Sequence, residues 1–109
     1  MKLKIIPTPE FSKQTKKLAK TYKNIVDDLD FLKNELLKNP KGGTELGNNC
    51  YKIRIPNSSI PTGKSGGFRI ITYYVVDNNL IRLLLIYSKK EKQSISNKEI
   101  QEVLQKNNL

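Results

Sequence analysis

The sequence predicts an α+β domain, a small antiparallel-dominated sheet with helices packed on one side, in the order β-α-α-β-β-β-α. Three observations carry this reading. Residues 9–38 repeat their apolar side chains at helical spacing, and residues 51–88 alternate with the period of a strand. No repeat, low-complexity tract or linker divides the 109 residues, so residues 1–109 form one domain around one core.

The opening Lys2-Leu3-Lys4-Ile5-Ile6 is strand-like. Thr8 then Pro9 supply an N-cap and a first-turn proline, and Phe11, Leu18 and Tyr22 follow at helical spacing. Ile25, Leu29, Leu32 and Leu36 extend the pattern over a second helix, which must stop near Asn39 because proline at 40 excludes helical backbone before it. The stretch from Pro40 to Asn49 is rich in glycine and asparagine and reads as a connection. Next, Tyr51, Ile53 and Ile55 alternate with Lys52 and Arg54, which places those two cations on one strand face. Two further β-rich runs, Phe68 to Val76 and Leu80 to Ser88, flank the polar break Asp77-Asn78-Asn79, a hairpin loop. Ser96 and Glu99 have capping-box spacing, and Ile100, Val103 and Leu104 give a closing helix its inward stripe.

Charge narrows the function. Twenty basic residues against ten acidic give a net +10, more than solubility requires, which points to a polyanionic partner. From Leu46 to Lys92 the basic residues Lys52, Arg54, Lys64, Arg69, Arg82, Lys89, Lys90 and Lys92 face only Asp77 and Glu91. All three arginines, Arg54, Arg69 and Arg82, fall in this strand-rich half. In a chain that uses lysine by default, a guanidinium suggests planar, bidentate phosphate binding. No run of about 20 apolar residues is present, so the expectation is a soluble, cytoplasmic protein with no membrane role.

Several chemistries are excluded by the side chains at hand. The lone Cys50 has no histidine to activate it and reads as structural. Gly63-Lys64-Ser65 imitates the end of a phosphate-binding loop, yet Ser58 stands where that motif needs glycine, and no helix follows. Its neighbours Gly66 and Gly67 would let backbone approach a ligand closely. Asp27, Asp28 and Asp30 lie between apolar helical positions, as a solvated face does, so no metal site is expected. What remains is a set of cations from strand beginnings and ends, which antiparallel pairing can bring together. Such a set suits RNA cleavage, because charge accumulates on the phosphate oxygens when a 2′-hydroxyl attacks. A solvated sheet face is the alternative.

Three segments decide between them: Tyr51-Lys52-Ile53-Arg54, Gly63 to Ile71 with its Phe68-Arg69 pair, and Leu84 to Lys92. Their order and spacing resemble the core motifs of the RelE/ParE toxin superfamily, nearest its RelE and HigB branches. The resemblance implies a RelE-like fold and a toxin that cleaves messenger RNA on the ribosome and is silenced by a cognate antitoxin, with no cofactor. Carried over, Lys52 and Arg54 match the family's basic pair, Arg69 its phosphate-binding arginine, and Lys90 a basic position usually held by arginine. Ser96 falls where RelE has its C-terminal tyrosine, so Tyr73, sharing strand parity with Arg69, and Tyr87 stand as substitutes for that acid. Lys64, Lys89 and Lys92 are expected to bind RNA. Two rivals stay open, a ParE-like DNA gyrase inhibitor without nuclease activity and a non-toxic RNA-binding domain.

Overall fold

Two long apolar runs set the centre of the molecule, because strands buried on both faces carry continuous rather than alternating hydrophobicity. The computed structural model describes residues 2–61 and 66–109. In chain order the elements are β1 (Lys4–Pro7), α1 (Pro9–Ala19), α2 (Ile25–Lys38), β2 (Thr44–Gly47), β3 (Cys50–Ile55), β4 (Phe68–Val75), β5 (Leu80–Ser88) and α3 (Asn97–Lys106). They build one five-stranded sheet of order β1-β5-β4-β3-β2. The β1–β5 pair is parallel, and the other three pairs are antiparallel.

The helix signals act as the sequence requires. Thr8 Oγ1 accepts from the Phe11 N–H at 3.2 Å, with Pro9 in the first turn of α1. α2 ends at Lys38, just ahead of Pro40. At α3 the Ser96 hydroxyl accepts from the Glu99 N–H at 3.1 Å while the Glu99 carboxylate reaches back, the reciprocal capping box.

Two cores lie on opposite faces of the sheet. Phe11, Tyr22, Ile25, Leu32 and Leu36 of the first two helical segments meet Ile53, Ile55, Phe68, Ile70 and Ile86. On the other face, Ile100, Val103 and Leu104 of α3 pack on Cys50, Ile71, Leu84 and Leu85. The alternation of Ile70 with Ile71 and of Ile86 with Leu85 separates the two. The α+β class therefore holds, and α3 departs from the expected one-sided packing because β4 and β5 are apolar on both faces. The order also gains β2 within the Pro40–Asn49 connection. All four of its residues are exposed, so it carries no buried alternation for a sequence reading to find.

One irregularity governs the rest. Ile71 pairs with Leu85 and Thr72 with Leu83, so β5 carries Leu84 as an extra residue, a β-bulge. Fully buried Thr8 sits over it, its Oγ1 lying 3.0 Å from the Leu83 carbonyl and 3.1 Å from that of Leu84. Asp28 is a second departure. It is buried rather than solvated, and both carboxylate oxygens accept from the Ser58 N–H, at 3.2 and 3.1 Å. It thus ties the loop after β3 to α2.

Candidate RNA-binding site

The register of three strands builds the site. Arg54 of β3 stands opposite Arg69 of β4, which stands opposite Tyr87 of β5. Paired residues share a sheet face and adjacent strands run about 4.8 Å apart, so the side chains form a row across the sheet. The bulge makes this row possible. Ile81 and Leu83 face the α1/α2 core, and if β5 alternated regularly through all of its residues Tyr87 would follow their parity to that same face. Lys52, two residues before Arg54, shares the row's face and is half-buried opposite Ile71.

Close backbone approaches fix the strand that bears both cations. A Cβ on Gly43 would meet the Lys52 carbonyl oxygen at 2.1 Å, and Gly43 has φ +94°. A Cβ on Gly67 would meet the Ile55 carbonyl oxygen at 2.0 Å. The expected close approach at Gly67 is thus to the chain's own backbone. Its carbonyl also accepts from the Lys89 N–H at 3.0 Å, joining the start of β4 to the end of β5.

Burial sets the electrostatics. Arg69 is only 3% exposed, and Arg54 beside it is exposed. Desolvation first, and then the Arg54 charge, push the Arg69 guanidinium below its usual range, with Tyr87 opposing. Arginine starts so high that it stays charged at neutral pH. Burial likewise pushes the Tyr87 phenol up, against the weaker opposite pull of Arg69, Arg54 and Lys92. The row therefore offers two crowded cations and a neutral O–H donor. An anion placed between the guanidiniums would relieve their repulsion. A groove opens at each end of the row. One of about 590 Å³ is lined by Lys52, Arg54, Thr44, Gly43 and the carboxylate-bearing Glu35, and one of about 290 Å³ by Tyr87, Ser88, Lys92, Lys17, Gln14 and Glu91.

The other expected residues divide. Lys92 joins the cluster through its charge on Tyr87, and its Nζ binds Glu99 Oε2 at 3.0 Å. Lys89 Nζ donates to the Gln93 carbonyl at 2.8 Å, which braces the turn after β5. Lys90 stands exposed on that turn. Tyr73 lies four residues along β4 from Arg69, about 14 Å away, and packs against the α3 cluster instead of joining the row. Arg82 is a strut, its Nε donating to the Ile6 carbonyl at 3.2 Å. Lys64 lies outside the described residues. Among the described residues no three histidine, cysteine, aspartate or glutamate side chains gather where a metal ion could be held, and no helix is long and apolar enough to cross a membrane.

No protein-family model matches the chain, and no curated protein matches its sequence. Solved structures do. A double-arginine mutant of the E. coli toxin RelE in the free state superposes with a TM-score of 0.63 at 16% identity, covering 97% of this chain and 98% of that one. Isolated E. coli RelE gives 0.59 at 16% identity, over 94% and 97% of the two chains. A chain of the intact E. coli RelBE toxin–antitoxin complex gives 0.57 at 18% identity, over 77% and 93%.

Proposed function

From the RelE fold and the cationic row it carries, we propose that this chain is the toxin of a type II toxin–antitoxin pair, a ribosome-dependent endoribonuclease of the cytoplasm that cuts messenger RNA without a metal. The observation that supports it is the row Arg54–Arg69–Tyr87, in register across three strands. Arg54 and Arg69 hold the scissile phosphate and balance the charge that builds on its equatorial oxygens. The 2′-oxygen bonds to phosphorus as its proton passes to solvent, and Lys52 steadies the negative charge that this leaves on the oxygen. The bond from phosphorus to the 5′-oxygen breaks, and that oxygen takes a proton from Tyr87, whose raised pKa keeps it protonated at neutral pH, or from Lys90. The products are a 2′,3′-cyclic phosphate and a 5′-hydroxyl. The RelBE complex among the similar folds supports a cognate antitoxin as the second partner.

Arg69→Ala tests the reading. Cleavage of message on programmed ribosomes should fall about 10²–10³-fold, as for other single transition-state donors. Arg69→Lys should restore only part, because an ammonium keeps the charge and loses the planar fork. Because Arg69 is buried, circular dichroism and thermal unfolding must first show each variant folded. A folded Arg69→Ala variant as growth-inhibiting as the parent would replace this reading with gyrase-type inhibition.

A further inference from the structure

The turn after β5 brings Lys89, Lys90 and Lys92 to the site with nothing apolar to hold it, since residues 89–94 are all polar or charged. Its backbone converges instead on Ser88, the last residue of β5 and only 1% exposed. The Ser88 carbonyl accepts from the Glu91 N–H at 3.1 Å and the Lys92 N–H at 2.9 Å, and its Oγ accepts from the Lys90 N–H at 3.3 Å. The same Oγ shares a hydrogen bond with the Tyr22 phenol at 3.3 Å, the one partner this phenol has among the described residues. Tyr22 is fixed in turn. Its N–H donates to the Leu18 carbonyl at 2.8 Å, its carbonyl accepts from the Ile25 N–H at 3.3 Å, and its ring stands edge-on to Phe68 with centroids 5.5 Å apart. Phe68 is itself the partner of Ser88 across β4 and β5. A continuous path thus runs from the joint of α1 and α2 through Tyr22 and Ser88 to the backbone of Lys90.

Stability alone does not call for this path. A phenol and a hydroxyl buried beside Phe68 cost desolvation that their own bond only offsets, and an apolar pair of similar shape would fill the space about as well. Three lysines with one glutamate among them also repel one another and the nearby arginine pair, so an untethered turn would swing its cations into solvent. Lys92 instead lines one groove with Tyr87 and Ser88. We infer that Tyr22 and Ser88 are positioning residues of the proposed ribonuclease, holding the Lys89–Lys92 turn so that Lys90 and Lys92 meet the RNA phosphate bound by Arg54 and Arg69. Neither side chain touches a reacting atom, and both act through the lysines. The inference rests on the ribonuclease reading.

Tyr22→Phe keeps the ring on Phe68 and removes only the O–H. On programmed ribosomes its single-turnover cleavage should fall about tenfold to a hundredfold, while its affinity for them changes by less than about twofold, because every charge remains. In a chain already carrying Lys90→Ala and Lys92→Ala, the same substitution should cost less than about twofold, whereas a loss from weakened packing would be equal in both backgrounds. Amide hydrogen exchange reads the tether without any cleavage. The Lys90 N–H should exchange about tenfold faster in Tyr22→Phe and faster still in Ser88→Ala, with the Ile70 amide of β4 unchanged. A parent protein that cuts no RNA would overturn the ribonuclease reading and this role with it. With a parent that cuts, a full-rate Tyr22→Phe variant, an equal loss in both backgrounds or an unchanged Lys90 amide would overturn the positioning role alone.

Discussion

Arg54 and Arg69 face each other across adjacent strands, an arrangement that costs stability and is kept where an anion is to be held. Arg54→Ala should therefore raise the stability of the ligand-free protein, by about 0.2–1 kcal/mol because Arg54 is exposed and its charge is screened. The same variant should weaken RNA binding, so urea unfolding and an RNA-binding isotherm should move in opposite directions. Tyr87 gives a pH prediction. Its folded pKa is raised above the ordinary 10.0, so the stability tied to its neutral form is complete below that pH and is lost as pH rises beyond it. Thermal unfolding of Tyr87→Phe should fall less steeply than that of the parent above about pH 10. The two arginines were legible in the sequence because this chain places guanidiniums sparingly, although the same argument also selected Arg82, which braces β1. Asp28 was not legible. Its neighbours Asp27 and Asp30 are solvated, and only the loop folding back over α2 buries the middle carboxylate.

Strand parity decides which side chains can meet, and a continuous run such as Leu83-Leu84-Leu85-Ile86 hides the residue at which parity changes. Tyr73 and Tyr87 were therefore equal candidates in the sequence; the bulge at Leu84 turns Tyr87 to the face of Arg69 and opposite it, whereas Tyr73 shares that face about 14 Å along β4. The side of the sheet taken by α3 was likewise hidden, since an amphipathic stripe fixes what a helix buries and not which face receives it. Thr8 fastens the bulge while capping α1, so Thr8→Val, similar in shape, removes both roles. Unfolding should cost about 1–3 kcal/mol less in this variant. Deleting Leu84 is the sharper probe of the same element. If the chain folds, Leu85 should follow Leu83 in a regular ladder against Ile71 and Thr72, and Tyr87 should keep its place opposite Arg69. Under the proposed activity cleavage should then be retained, and a folded deletion variant that had lost it would contradict this register.

At the scale of the molecule, fold class and charge were open to a sequence reading because each depends on sums over many residues. Pairings between distant segments depend on few residues each, and β1 shows what that implies. Its strand partner begins at Leu80, so the first strand made cannot pair until most of the chain exists. Arg69 and Tyr87 also come from the later half. Pairings this distant in sequence slow folding, and refolding by dilution from urea should show a main phase in the millisecond-to-second range. Microsecond folding in stopped-flow or temperature-jump traces would contradict it. During synthesis the same topology acts as a delay. A nascent chain stopped before Leu80 holds Arg54 and Arg69 without Tyr87 and leaves β1 unpaired, so translation that stalls early yields a fragment with no assembled row. Under the proposed activity, the ribosome making this protein is exposed to it only when that round of translation is nearly complete.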